Sequence, residues 1–146
     1  MDEQNFLEIL SAHKVRPTKI RLDVYEVFNN SDFALSHNEV MTILGEDVDK
    51  VTVYRTLHTF VEKGLLHEAE TDGELTKYAL CKPDTCNEVR HTHQHLHFKC
   101  TVCLKTICLE EVQIESIPIP PGFTIETFKF LAEGVCDKCS SIVQNQ

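Results

Sequence analysis

Four of the seven cysteines occur as two pairs with identical spacing. The pairs are Cys100-Thr-Val-Cys103 and Cys136-Asp-Lys-Cys139. Two thiolates spaced in this way can bind one ion from a tight turn, and two such pairs complete the tetrahedral four-sulfur shell that zinc prefers. A thioredoxin-like redox centre is a poorer match, because it uses a single pair that opens a helix after a strand. We therefore predict structural zinc bound by Cys100, Cys103, Cys136 and Cys139.

A histidine tract, His91-Thr-His-Gln-His-Leu-His97, holds four of the eight histidines. Alternate side chains of a β-strand point to one face, so the tract predicts a row of imidazoles that can bind metal. A solvated surface tract is the alternative. The tract contains no carboxylate to act as a general base, so a zinc enzyme is disfavoured.

Composition and charge bound the class of protein. The N-terminus lacks the basic and apolar regions of a signal peptide, and no apolar run reaches the roughly 18 residues of a membrane span. We expect a cytoplasmic protein whose thiols are reduced. The net charge of −9 counts against DNA binding. Charge is local, however, and one basic cluster contains no acidic residue: Lys14, Arg16, Lys19 and Arg21.

The first part of the chain has the pattern of four helices followed by a hairpin. Apolar periodicity predicts helices over about 2–13, 18–30, 37–44 and 49–63. Ser36-His-Asn-Glu39 is a capping box, and Gly45 and Gly64 are helix stops. Two β-like runs, 65–69 and 75–80, flank Thr71-Asp-Gly-Glu74, which is a strong hairpin signal. The order predicts a winged helix-turn-helix, with a small helical bundle as the alternative.

The rest of the chain predicts a second, β-rich domain. We place the boundaries at 1–82 for the winged helix, 83–91 for a hinge and 92–146 for the second domain, and the fold class is α+β. Strands are predicted over 96–99, 106–109 and 123–131. So small a domain buries little core by itself and needs metal or a partner chain.

Lys50-Val-Thr-Val-Tyr-Arg-Thr-Leu57, followed by a wing, a histidine tract and the two cysteine pairs, resembles the ferric-uptake-regulator superfamily. The resemblance runs from about Val15 to Cys139 and is greatest to the zinc-uptake regulators. It implies a metal-responsive repressor that binds a pseudo-palindromic double-stranded DNA operator as a homodimer. It implies neither association with a membrane nor a small-molecule substrate. It implies structural zinc on the cysteine pairs and a second, regulatory metal at the hinge. The predicted DNA-contacting residues are Arg21, Lys50, Thr52, Tyr54 and Arg55.

The resemblance also implies which residues bind the regulatory metal. Zinc-uptake members use a histidine or aspartate after the recognition helix and a cysteine at the end of the wing, where this chain has His67 and Cys81. Iron and peroxide sensors use other positions, which are Ala34 and Ala79 here. We predict regulatory zinc on four ligands, with His93 and Cys108 as rival ligands: His67, Cys81, His95 and His97.

Two kinds of alternative stay open on the sequence. The same fold could carry an iron, manganese or peroxide sensor, and a thiol-based redox regulator could use Cys81, Cys86 or Cys108. The remaining histidines, His13, His37 and His58, are interpreted as ordinary residues without a site role.

Overall fold

The computed structural model describes residues 3–72, 75–81, 95–113, 118–126 and 130–144. The chain divides into two compact units, Met1–Thr92 and His93–Gln146. The predicted hinge, residues 83–91, lies outside the described residues, as do His93 and Cys86.

The described part of the first unit contains four helices and a three-stranded sheet. The elements in chain order are α1 Glu3–Ala12, α2 Lys19–Asn29, β1 Leu35–Ser36, α3 His37–Leu44, α4 Lys50–Glu62, β2 Leu66–Asp72 and β3 Leu75–Leu80. The sheet has the order β1-β3-β2, and both pairings are antiparallel. This is the predicted order of helices followed by a hairpin.

Three of these helices have a short polar residue as their N-cap. Thr18, Ser36 and Asp49 each accept a hydrogen bond from the backbone N–H three residues later, which satisfies a donor that the helix itself leaves free. Gly45 ends α3 with a φ of 100°, a left-handed conformation that favours glycine. The predicted helix boundaries at these residues are confirmed.

The core of the first unit forms where the helices pack against the hairpin. From α4, Val53, Leu57 and Phe60 are fully buried, as the periodicity predicted. Other helices and the hairpin supply further buried side chains: Phe6, Leu10, Val15, Val24, Tyr25, Phe28, Leu35, Val40, Leu65, Leu66 and Tyr78. One face of α4 is thereby fixed against the core, which leaves the opposite face outward.

The hairpin differs in detail from its prediction. The loop was expected over 71–74, but β2 continues to Asp72, past a bulge between Glu68 and Glu70. The added strand β1 was not predicted, because two residues are too few to show alternation. It pairs with β3 at Leu35↔Tyr78 and Ser36↔Lys77.

The described part of the second unit contains three strands and one helix: β4 His95–Cys100, β5 Thr106–Gln113, β6 Leu131–Gly134 and α5 Asp137–Gln144. The sheet order is β5-β4-β6, with β4 antiparallel to β5 and parallel to β6. The strands predicted over 96–99 and 106–109 are present, and each is longer than expected.

The strand predicted over 123–131 is wrong. Residues 123–126 form no strand, and β6 begins only at Leu131. The alternation that suggested a strand follows Gly122, where a φ of 94° turns the chain. Phe123 is 71% exposed, so its apolar side chain has no sheet face to pack against among the described residues.

Helix α5 was not predicted. It begins at Asp137, inside the second cysteine pair, and its eight residues contain few apolar side chains and no capping box to mark a helix. Helices of this length are marginal unless tertiary contacts support them. Here Cys139 in its first turn is buried against the cysteine cluster.

Candidate metal centres and nucleic-acid interface

The four paired cysteines come together at one end of the second sheet. Cys100 ends β4, Cys103 lies in the turn that follows, and Cys136 and Cys139 lie at the start of α5. Their four Sγ atoms all lie within 4.8 Å of one another. A tetrahedral zinc ion with Zn–S bonds of about 2.3 Å needs sulfurs about 3.8 Å apart, so the cluster fits zinc with small adjustments.

The backbone around Cys100 favours a thiolate. Three N–H groups point at its Sγ, from Val102 at 3.4 Å, Cys103 at 3.5 Å and Cys136 at 3.4 Å. The bonds from Cys103 and then Cys136 contribute most, and together these donors lower the pKa of Cys100 to about 6. A sulfur ionised near neutral pH is ready to bind a cation.

Cys139 shows the opposite shift. Burial, followed by the neighbouring thiols of Cys136, Cys100 and Cys103, raises its pKa to about 12. Four sulfurs at this distance cannot all ionise without a compensating cation, and a dication removes that penalty. The donor chemistry therefore matches a soft divalent metal.

Backbone and side-chain hydrogen bonds hold the two cysteine pairs in position. Thr101 donates twice to the carbonyl of Gly134, from its N–H at 2.7 Å and from Oγ1 at 3.0 Å. This ties the first pair to the end of β6, which leads into the second pair. A Cβ added at Gly134 would lie 3.3 Å from the Phe98 ring, so a larger residue would require the ring to shift by a few tenths of an ångström.

In the first unit, His67 and Cys81 lie together at the base of the hairpin. Cys81 Sγ is 3.4 Å from His67 Nδ1. His67 in β2 is buried, and the residue directly across from it in β3 is Ala79. The N–H of Cys81 donates to the carbonyl of Leu65 at 2.9 Å, which keeps the chain after β3 beside β2. Antiparallel pairing thus brings together two residues that are fourteen positions apart.

In the second unit, His97 and Cys108 are direct neighbours across β4 and β5. Opposite residues of antiparallel strands share a face, so this imidazole and this thiol lie on one side of the sheet. His97 is buried and Cys108 is partly buried. His95 begins β4 and pairs with Gln113 before a bulge, but its side chain lies outside the described residues.

The outward face of α4 presents several of the predicted DNA-contacting residues. Tyr54 is 51% exposed, and Lys50, Thr52 and Arg55 are also exposed. Thr52 has a capping role as well, because its hydroxyl donates to Asp49 Oδ2 at 2.7 Å and its N–H donates to the same oxygen at 2.9 Å. The hydroxyl bond and then the N–H bond lower the pKa of Asp49.

The basic cluster before α2 is partly neutralised locally. Lys19 forms an ion pair of 2.8 Å with Asp23 one turn later. Arg21 Nη1 donates to the carbonyl of Arg16 at 2.9 Å, so the guanidinium is tied to its own helix start. Asp23 therefore offsets one of the four positive charges locally, whereas the Arg21 guanidinium keeps its charge.

Two histidines that the sequence left without a role lie beside Tyr54. The ring of His37 is 5.8 Å from the Tyr54 ring, and the ring of His58 is 4.3 Å from it. The spacing of Tyr54 and His58, four residues apart in a helix, is the signal that could have identified this pair.

The family pattern described as the ferric uptake regulator family matches residues 12–120. The chain belongs to the ferric uptake regulator family. Its members are metal-responsive transcription regulators and not enzymes. The predicted family and the α+β fold class are confirmed.

Individual relatives cover nearly the whole chain. The ferric uptake regulation protein of Staphylococcus aureus is 27% identical over 143 residues, which are 95% of this chain and 98% of the relative. A zinc uptake regulator solved with zinc and DNA superimposes with a TM-score of 0.68 at 22% identity, covering 97% of this chain and 94% of its own. The Vibrio cholerae ferric uptake regulator gives 0.60 at 20% identity, covering 90% and 99%. Among the described residues, no helix is long and apolar enough to cross a membrane.

Proposed function

We propose that this regulator is a zinc-responsive repressor of metal-uptake genes, which binds a pseudo-palindromic DNA operator as a cytoplasmic homodimer. The observation that carries the proposal is the His67–Cys81 pair, with 3.4 Å between Nδ1 and Sγ. An imidazole and a thiolate are ligands that zinc prefers, whereas iron sensing requires more oxygen ligands.

The first part of the proposal is a structural zinc ion on Cys100, Cys103, Cys136 and Cys139. The proximity of the four sulfurs and the amide bonds to Cys100 support it. When bound, zinc would supply charge compensation and cross-linking to a unit whose buried cluster, among the described residues, consists of Cys100, Cys136 and Cys139.

The second part is a regulatory zinc ion with ligands from both units. The proposed set is His67, Cys81, His95 and His97, with His93 and Cys108 as rival ligands. Cys108 is the stronger rival, because it is the direct cross-strand neighbour of His97.

The surroundings of His67 support zinc over iron or manganese. The residue across the hairpin from His67 is Ala79, and Ala34 is almost fully buried. These are the two positions at which a resemblance to iron and peroxide sensors would require ligands, and methyl side chains cannot bind a metal. At these two positions a hard cation would therefore lack the oxygen atoms that it prefers.

An iron-responsive regulator is the second candidate function. The observation that favours it is the 27% identity to the Staphylococcus aureus ferric uptake regulation protein. The imidazole and thiol of His67 and Cys81 argue against it, because iron sensing requires more oxygen ligands. DNA binding measured with zinc, iron and manganese in turn distinguishes the two candidate functions.

DNA binding is proposed through the outward face of α4. Tyr54 and Arg55 are exposed beside a wing, and a zinc uptake regulator of similar fold was solved with DNA. Two-fold dimers of helix-turn-helix proteins place their recognition helices about 34 Å apart, which requires a pseudo-palindromic operator. The net charge of −9 weakens nonspecific phosphate binding, so affinity depends on the correct dimer arrangement.

The proposed switch is a population shift. The proposed ligands lie on both sides of residues 83–91 in the sequence. A bound metal ion therefore favours the DNA-binding arrangement of the protein only to the extent that it binds this arrangement more tightly than the others. A difference of about 100-fold, or about 2.7 kcal/mol, is sufficient for a usable switch.

Replacement of Cys81 tests the zinc assignment. Cys81→Ser should lower zinc affinity at the regulatory site and uncouple DNA binding from zinc, because a hydroxyl is a poor zinc ligand. Cys81→Asp should lose zinc affinity while retaining iron or manganese relatively better, because a carboxylate is a harder ligand. The measurement is binding to a duplex selected from a random DNA pool, at buffered free zinc, iron and manganese.

Cys86→Ser is the matched control, since it removes one thiol that is not in the proposed ligand set. It should respond to zinc as the wild type does. Activation of the wild type by ferrous iron at a lower free concentration than zinc would replace the zinc assignment with the iron candidate. A normal zinc response in Cys81→Ser would remove Cys81 from the site, and an altered response in Cys86→Ser would favour a thiol redox regulator.

A further inference from the structure

Three aromatic rings form a cluster on the surface of the first unit, outside the proposed metal ligands. Tyr54 and His58 lie one turn apart on α4, and His37 is the first residue of α3. The Tyr54 and His58 rings are tilted by 45° with centroids 4.3 Å apart. The His37 ring meets Tyr54 edge-on, at 83° and 5.8 Å. The edge-on arrangement of His37 and Tyr54 is a favourable aromatic geometry, and the Tyr54 and His58 rings are in close tilted contact.

His37 also fixes the start of α4. Its Nε2 donates to the carbonyl of Lys50 at 3.1 Å, since a carbonyl oxygen can only accept. Lys50 is the first residue of α4, so this bond connects the beginnings of α3 and α4. One imidazole thus contacts the Tyr54 ring and holds the backbone that carries it.

Tyr54 has the exposure of a residue that contacts a partner. Half of its surface is accessible, whereas Val53 and Leu57 on the opposite face are fully buried. An exposed tyrosine without neighbours samples several rotamers and loses that freedom when it binds. The two imidazoles restrict the ring before any partner arrives.

We propose that His37 and His58 are positioning residues that hold the Tyr54 ring in the orientation in which it contacts DNA. The inference rests on the proposed DNA-binding function of α4. It adds two residues to the DNA-binding surface on the outward face of α4. These two act through Tyr54 and not through bonds of their own to DNA. Removing one aromatic contact should weaken operator binding about 2- to 10-fold per half-site.

The variants distinguish the effect of losing an aromatic ring beside Tyr54 from the effect of losing a hydrogen bond. His58→Phe keeps an aromatic ring and loses the imidazole nitrogens, whereas His58→Ala loses both. His37→Gln keeps a donor for the Lys50 carbonyl and loses the ring, whereas His37→Phe does the reverse. His13→Ala is the control, because its ring bonds the carbonyl of Ile9 and has no ring contact with Tyr54 among the described residues.

Two measurements are made on zinc-loaded full-length protein. The first is the NMR spectrum of ring-labelled tyrosine, which contains signals from only three tyrosines. The second is affinity for a duplex that the wild type selects from a random pool. We expect His58→Ala to move the Tyr54 ring signals and weaken binding, and His58→Phe to restore binding to within about 2-fold of the wild type. His37→Gln should retain the fold and still shift the Tyr54 signals.

The inference is overturned if the Tyr54 signals of His58→Ala coincide with those of the wild type and of His13→Ala. It is also overturned if His58→Phe binds no better than His58→Ala, because the imidazole would then contact DNA directly. If the wild type selects no duplex at all, the DNA-binding proposal itself fails, and the positioning role fails with it whatever the ring signals show.

Discussion

The two units of this regulator are stabilised in different ways. In the first, fourteen buried residues from the helices, the sheet and the loops between them form one apolar core, in which Phe60, Leu57 and Val53 are fully buried. Among the described residues of the second, the buried cluster consists of Cys100, Cys136 and Cys139, with Phe98 and Ile107 packed against it. One unit is held by burial of hydrocarbon, and the other depends on its sulfur atoms.

This difference follows from size. The second unit spans residues 93–146, which is too short to bury a large apolar core. Small domains commonly compensate with a metal or a partner chain, and zinc in a four-thiolate shell contributes folding free energy directly. The comparison predicts that each unit can be damaged without the other, by different kinds of substitution.

The largest effect should come from Cys103→Ser. The proposed structural zinc loses one of four ligands, and apparent binding energies of structural zinc are about 10–16 kcal/mol, so the second unit should lose its fold. Zinc content should fall, while tyrosine fluorescence should not change, because Tyr25, Tyr54 and Tyr78 all belong to the first unit. Elemental analysis and fluorescence-monitored melting measure the two effects.

Cys86→Ser is the control for this experiment, since it removes a thiol that belongs neither to the two cysteine pairs nor to the proposed regulatory ligands. A stable Cys103→Ser protein with its full zinc content would show that the cysteine pairs do not bind structural zinc.

Phe60→Ala should have the converse effect. Loss of a fully buried aromatic ring costs about 3–5 kcal/mol, so the first unit should unfold at lower urea concentration. The four-sulfur site should keep its metal. Val51→Ala on the same helix is the control, because Val51 is exposed and its loss leaves no cavity. Release of zinc in step with the tyrosine transition would show that the units unfold together.

Arg55→Ala should leave both units folded and weaken binding to DNA. Its side chain lies on the outward face of α4, and loss of a bidentate base contact costs about 1–3 kcal/mol per half-site. Lys138→Ala removes the same charge from the second unit and serves as the control. Equal losses in the two variants would indicate that only net charge matters at this position.

The smallest effect concerns Thr52. Its hydroxyl is the main cause of the lowered pKa of Asp49, so Thr52→Val should raise that pKa toward its ordinary value of 3.8. Because the pKa is lowered in the folded state, the Asp49 cap stabilises the protein above about pH 3.8 and its contribution disappears as the pH falls through the folded pKa. The valine variant should therefore show less of this pH dependence, as measured by NMR titration of Asp49 and by acid melting. An unchanged Asp49 pKa would contradict the capping role.

Local patterns determined most of the first unit. Thr18, Ser36 and Asp49 are helix N-caps whose hydrogen bonds reach only three residues along the chain, so they can be predicted without the tertiary structure. The buried face of α4 follows from helical periodicity in the same way. The cysteine pairs were equally evident, because a two-residue spacing by itself defines a metal-binding turn.

Long-range contacts decided the rest. Strand β6 begins at Leu131, where it pairs in parallel with β4. Alternation of residue types at Phe123 could not reveal that, among the described residues, Phe123 has no neighbouring strand to pair with. The amides that lower the pKa of Cys100 include one from Cys136, thirty-six residues away. His37 meets Tyr54 because α3 and α4 begin next to each other, where His37 bonds the carbonyl of Lys50. Spacing along a chain specifies which groups can act, but their pKa values and neighbours depend on atoms that only folding brings close.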